Sequence, residues 1–427
     1  MQLDPVLLLK ELVRIDTTNP PGGEMRLLIH LEELLRQAGI PSVIQETAPG
    51  RGNIIAWQRA EDPAEPPLFL LSHIDVVPAD ERQWRCPPFE AQEHEGYIYG
   101  RGTVDTKQLT VMELYAFMAL RERGGARKRD VYFLATCDEE CGSRYGLRWF
   151  LEHGIELDGR VRTGQEWIAG SDVISEGGGF PVVAGDKEYY LCESGQKSCG
   201  TVEFTVKARK SKGAFFTSGD GMERAMGLAE EIGAAEMEGA VLKTVRGFEE
   251  KLSGNELSPM MDKILRAMKH NTMTVTMVSG RDLNAVTVTC DVRLIPGFGR
   301  EYLQGILDDL CARWDCEARI IDLGEGYESD PEGPFLRLLE DATLAVLGRT
   351  REETEILPFV SMGASDGRWL TSAGARVYGY SPVYSWDMTF DTAVRMVHGV
   401  DERIHRDSVA LGCEILERAV LASAGRE

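Results

Sequence analysis

No run in this chain is apolar for more than a few residues, far short of the ~20 needed to cross a bilayer, so no transmembrane helix is expected. Basic residues are in deficit. The 47 Lys and Arg against 69 Asp and Glu leave a formal charge of −22, which offers no positive surface to phosphate backbones and favours solubility. Neither nucleic acid nor a membrane is therefore expected as a partner. The nine cysteines are odd in number and scattered, without the close spacing of a secreted disulfide scaffold, so reduced thiols and a cytoplasmic location are expected. No export signal is expected either: Asp4, Pro5 and the stretch to Arg14 read as an N-cap acid, a first-turn proline and an amphipathic helix, with no small-residue cleavage site. Nucleotide loops are also lacking. Gly100 to Gly102 and Gly177 to Gly179 do not have the strand-to-helix spacing of dinucleotide fingerprints, and no glycine-lysine phosphate loop occurs.

What is present is a chain of 427 residues, 43% hydrophobic and 27% charged, which is the composition of a globular protein with more than one core. The first ~190 residues alternate helical and strand patterns. Leu27, Leu28, Leu31, Leu34 and Leu35 form one helical face that stops at Gly39; strands are expected at 42–45, 53–57, 68–72, 131–136 and 172–175, and helices at 106–121 and 145–153. Such repeated units predict an α/β fold with a mostly parallel sheet covered on both faces. From about Gly200 the pattern changes to the strict alternation of a half-wet strand, and a βαββαβ order follows, with a helical excursion at 239–269. This reads as an inserted ferredoxin-like α+β domain at 198–326, between a first part of the larger domain at 1–197 and a second part at 327–427.

The chemistry gathers at predicted strand ends. Val131 to Thr136 runs into Cys137-Asp138-Glu139-Glu140-Cys141; Leu68 to Ser72 runs into His73-Ile74-Asp75; and Gly100 to Asp105 lies between them in sequence. Neighbouring parallel strands bring their carboxyl ends to one edge, where open α/β folds place their sites. Two like charges at ~4 Å repel by about 4 kcal/mol at an effective dielectric near 20, so Asp105, Glu139 and Glu140 converging there call for divalent metal. Carboxylate with imidazole suits zinc and admits cobalt or manganese, and the thiols of Cys137 and Cys141 are not needed. His73 and Asp75 point to one face of an extended strand, which lets Asp75 hold the second ring nitrogen of His73. Glu139 and Glu140 are adjacent and split naturally into two roles, one binding metal and one moving a proton.

These segments resemble the zinc-dependent peptidases and amidohydrolases that include aminoacylase, acetylornithine deacetylase, succinyl-diaminopimelate desuccinylase and carboxypeptidase S. The resemblance runs through Val13 to Gly22, His73 to Pro78, Tyr99 to Lys107, Asp138 to Glu140 and Ser175 to Gly178, in the family's order. It implies two divalent ions, zinc in most members, bridged by Asp105, with His73 and Glu176 on one and Glu140 and His398 on the other. Glu139 becomes the general base and Asp75 the acid behind His73. The inserted domain becomes a lid that forms the homodimer contact in many members, with Arg293 gripping a substrate carboxylate and Asn284 near the reacting carbonyl. Where relatives place a glycine-histidine pair after the first lid strand, this chain reads Lys210 to Phe216, and the proline usual after the Asn284 motif is absent. The expected activity is metal-dependent hydrolysis of an amide in a small N-acyl amino acid or short peptide with a free carboxylate. The alternative, prompted by the missing lid histidine, is a family member that has lost catalysis and acts in binding or scaffolding.

Overall fold

The computed structural model describes residues 3–209, 220–282 and 285–425. Its larger sheet has ten strands and follows from the short apolar runs. Leu68–His73 and Val131–Thr136 lie side by side and parallel, in a register that sets His73 opposite Thr136. Asp172–Ser175 pairs parallel with Leu68–His73 on its other side, and Arg376–Gly379 extends the parallel core. The period of two sorts side chains between two cores: Leu68, Leu70, Val131 and Phe133 enter one apolar cluster, while Phe69, Leu71, Tyr132 and Leu134 enter the other. Both faces are thus covered, and every residue of these two strands is buried, as a parallel sheet requires.

Away from this core the sheet is mixed. Ser42–Ala48 and Arg51–Gln58 form a hairpin on one flank, and Lys187–Gln196 pairs antiparallel with Pro181–Ala184 on the other. Nothing in the local pattern marks Pro181–Ala184, Lys187–Gln196 or Thr354–Ser361 as strands. The last two pair in parallel, with Cys192 opposite Pro358. Pro358 and the acids Glu188 and Glu193 disguise them, since a proline or a buried acid breaks the apolar signature of a central strand.

A separate four-stranded antiparallel sheet has the order Thr272–Asp282, Ala285–Leu294, Ser198–Lys207, Glu317–Leu323. The helices Gly221–Ala234 and Arg300–Trp314 cover one face around Val202, Phe204, Val288, Leu228 and Leu307. The excursion at 239–269 does not join this core. Its helices Lys243–Leu252 and Pro259–Lys269 insert Val245, Phe248, Met261 and Met268 into the cluster of the larger sheet. Lys197, at the junction of the two sheets, fastens it there by donating from Nζ to the carbonyls of Ala267 (3.1 Å) and His270 (2.6 Å). Among the described residues no helix is long and apolar enough to cross a membrane.

Candidate metal centre

The parallel core delivers His73, Glu139, Glu140 and Glu176 to one sheet edge because each ends or follows a core strand at its carboxyl end. His73 is 2% exposed. Its Nε2 lies 3.1 Å from Asp105 Oδ1 and 3.5 Å from Glu176 Oε2. Its Nδ1 is 3.0 Å from the backbone carbonyl oxygen of Asp75 and 3.5 Å from the Asp75 carboxylate, so the closer acceptor is the carbonyl.

The Asp75 carboxylate has other work. It accepts from the backbone N–H of Glu139 (3.1 Å) and Glu140 (3.2 Å) and from Asn19 Nδ2 (2.8 Å). Those bonds hold the single 3-10 turn Glu139–Cys141 that separates the adjacent glutamates. Asp138 enters the turn at φ 69°, stabilised by the N–H of Tyr145 (3.0 Å), Asn19 Nδ2 (3.1 Å) and Arg51 Nη1 (3.0 Å). Such local partners are what let a non-glycine residue adopt the left-handed region. As a result Glu140 Oε2 reaches His398 Nε2 at 3.1 Å, while ligand atoms of Glu139, His73 and Glu176 lie within 4.8 Å of one another.

Asp105 stands between the two histidines. Oδ1 faces His73, and Oδ2 is 3.1 Å from His398 Nε2. Its loop is shaped by Glu402, a fully buried carboxylate that accepts from the N–H groups of Gly102 (3.1 Å), Val104 (2.7 Å) and Asp105 (3.0 Å). Arg101 neutralises Glu402 at 2.7 Å and donates to the His398 carbonyl at 3.3 Å, which couples the loops carrying Asp105 and His398. After Glu176 the chain needs a glycine, because a Cβ on Gly177 (φ 108°) would sit 2.2 Å from Glu193 Oε2.

Burial and crowding set the charges. Burial pushes the Glu139 carboxyl well above the usual carboxylate range, and the charge of Glu176 adds to that push. Glu176 is raised for the same leading reason. Burial alone would lower His73, but the charges of Glu176, Asp105 and Asp75 override it and hold it well above its ordinary value. Asp105 and Glu140 raise His398 to about 10. These are the signs of acids and imidazoles that share protons where a cation would otherwise neutralise them. Among the described residues a buried oxygen of Glu140, Oε1, has no hydrogen-bond partner, and the ligand atoms of His73, Asp105 and Glu140 also lie within 4.8 Å of one another. The donor set and the orphaned oxygen fit a divalent ion.

The structure therefore brings His73, Asp75, Asp105, Glu139, Glu140, Glu176 and His398 together. Arg293 is not among them. Its guanidinium is held by both oxygens of Asp291 at 2.8 Å and donates to the Met362 carbonyl at 2.9 Å. Asn284 and the 210–216 segment lie outside the described residues. Glu402, Asn19, Glu193 and Asp366 also shape the site, though no local motif marks them. Glu193 is fully enclosed, accepts from Tyr327 Oη at 3.0 Å, and is pushed by burial up to about 8. Asp366 accepts from Ser143, keeps one buried oxygen without a partner, and is pushed by burial up to about 7. A cavity of about 420 Å3 opens over the cluster.

A doubly covered α/β sheet with one buried and one exposed histidine among acids at its carboxyl edge points to a hydrolase of the metallopeptidase and amidohydrolase class. The chain belongs to peptidase family M20/M25/M40, whose profile matches residues 69–422. It is 24% identical to aminoacylase-1 of Sus scrofa over 435 residues, covering 98% of this chain and 95% of that protein. It is 26% identical to the N-fatty-acyl-amino acid synthase/hydrolase PM20D1 of Xenopus tropicalis over 417 residues, covering 90% and 77%. The M20 family metallo-carboxypeptidase Sso-CP2 of Sulfolobus solfataricus shares the fold with a TM-score of 0.70 at 16% identity, covering 98% of this chain and 99% of that one.

Proposed function

We propose that this enzyme hydrolyses the amide of a small N-acyl amino acid or short peptide with a free carboxylate, using two divalent ions, zinc in the first place, with cobalt or manganese as substitutes. The carrying observation is Asp105, whose two oxygens each face a different histidine. In this reading Asp105 would serve both ions, His73 and Glu176 would hold one, and Glu140 and His398 would hold the other. When bound, the ions polarise the carbonyl and lower the pKa of the attacking water. Glu139 receives that water's proton on its carboxylate and delivers it to the leaving nitrogen. Divalent ions beside it would favour its ionised form and so keep it able to take a proton. Asp75 keeps the Glu139 and Glu140 side chains apart through their backbone N–H groups. Arg293 and Asn284 are kept as substrate-binding residues for an arrangement in which the 198–326 domain closes over the cavity.

The same reading includes a cytoplasmic location, consistent with nine cysteines that form no disulfide, and a homodimer through the four-stranded sheet. The exposed Met222 and Met226 on the helix Gly221–Ala234, and Met277 on the strand Thr272–Asp282, support the latter. Elemental analysis of the purified chain, followed by assay of Glu139→Gln on N-acyl amino acids and dipeptides, tests the catalytic part. The expected outcome is metal retained with activity lowered by roughly 10²–10⁴-fold, the span of general acid–base contributions. An active Glu139→Gln enzyme would remove Glu139 from the reaction.

A further inference from the structure

The cavity over the cluster has two unlike walls. One is the acid and histidine edge already described, and the other is apolar, formed by Phe180, Met260, Ile264, Phe359, Phe390 and Val394. Phe359 and Phe390 meet edge to face, with ring centres 5.6 Å apart and planes at 77°, so that wall is fixed by aromatic packing. Met260 and Ile264 come from the helix Pro259–Lys269, the excursion that leaves the small domain's sequence to pack on the large core. Its start is capped by Ser258, whose hydroxyl accepts from the Met261 N–H at 3.1 Å, and its end is fastened by Lys197.

No lysine or arginine lines this cavity among the described residues, and Glu193 adds a further acid to the edge wall. A carboxylate in the apolar half would be desolvated against Phe359 and Phe390 with no cationic side chain to pair with. In an N-acyl amino acid the carboxylate sits on the carbon bonded to the scissile nitrogen, so the amino-acid half cannot enter deeply without bringing its charge. The acyl half carries none. The volume, about 420 Å3, falls in the ~300–1,000 Å3 range of small-molecule sites and exceeds what an acetyl group fills.

From this we infer that the cavity takes the acyl group of the substrate, that this group is an apolar aliphatic chain or aromatic ring larger than acetyl, and that Ile264 and Met260 set its length. The inference rests on the amide-hydrolysis reading above and names its substrate class.

The test measures kcat/KM of the metal-loaded enzyme on N-acetyl-, N-butanoyl-, N-hexanoyl- and N-succinyl-alanine, beside N-acetyl-leucine and N-acetyl-phenylalanine. The expected result is a rise of up to about four-fold per methylene along the unbranched acyl series, the worth of one buried CH₂. N-succinyl-alanine should fall at least ten-fold below N-butanoyl-alanine. Ile264→Trp should lower the hexanoyl-to-acetyl ratio at least ten-fold; if that variant does not fold by circular dichroism, Ile264→Phe is read on the same ratio. A flat or falling acyl series, a gain that follows the amino-acid side chain instead, or a ratio unmoved by the substitution would overturn the assignment. Failure to hydrolyse any member with zinc, cobalt or manganese would count against the hydrolase reading alone. Calorimetric titration with hexanoate against acetate then decides the cavity: binding of hexanoate at least ten-fold tighter keeps the assignment, and equal binding ends it.

Discussion

The two histidines that face Asp105 are held in opposite ways. His73 ends a core strand, its side chain is 1% exposed, and its far ring nitrogen rests on the Asp75 carbonyl. His398 sits on a loop at φ 58°, its side chain is 53% exposed, and its backbone carbonyl accepts a long 3.3 Å bond from Arg101. A fold that orders a ligand by packing and backbone contacts before binding leaves less freedom to lose when an ion arrives. The His73 end is thus the pre-formed half of the site and the His398 end the adjustable half. The cost shows in the loose half's surroundings, where Glu402 and Arg101 are buried together to keep the two loops in place.

That contrast breaks most directly by removing each histidine. His73→Ala is expected to have the largest effect, lowering hydrolysis by well over the 10–100-fold typical of losing an outer partner and reducing bound metal at both positions. His398→Ala is expected to lose one equivalent of metal and retain the other through dialysis, read by elemental analysis. Equal metal loss from the two variants would erase the distinction between the halves.

A smaller change sharpens it. Glu402→Gln removes the charge that pairs with Arg101 and replaces one of the acceptors for the Gly102, Val104 and Asp105 N–H groups with a donor. Since both loops meet there, the expected loss is roughly 10–100-fold, the usual cost of disturbing an outer partner. The visible spectrum of the cobalt-loaded variant should change with it, because the bands report ligand geometry. An unaltered spectrum would make Glu402 a matter of stability alone.

The legible parts of this molecule were those with one dominant cause. Leu68 to His73 and Val131 to Thr136 are apolar on both faces because both faces are covered, so the strands and the acids that end them could be read directly. Lys187–Gln196 could not, because Glu193 serves the cavity and not the pattern. Glu402 was invisible for a similar reason: an acid four positions after His398 looks like solvated surface until Arg101, some three hundred residues earlier in the chain, is seen beside it. The role of Asp75 was only half legible. Spacing placed it with His73, but its carboxylate lies closer to the Glu139 and Glu140 N–H groups, a long-range contact that no local spacing encodes.

The helix Pro259–Lys269 extends the same comparison to the cavity wall, where a buried cation does the fastening. Lys197 is 1% exposed, and burial lowers its pKa from the usual 10.5 to about 8. Between those values the unfolded chain holds a proton that the folded chain has shed, so stability rises with pH across the window. Below about pH 8 the folded protein carries the full cost of a buried charge, offset by the carbonyls of Ala267 and His270. Lys197→Met keeps the apolar stem and removes the titration, so its urea-unfolding free energy should lack the lysine's upward slope from about pH 8 to 10.5. The expected difference between variant and parent is on the order of a few kcal/mol across the window. Two parallel curves would mean that Lys197 titrates normally and that apolar packing alone holds the cavity wall.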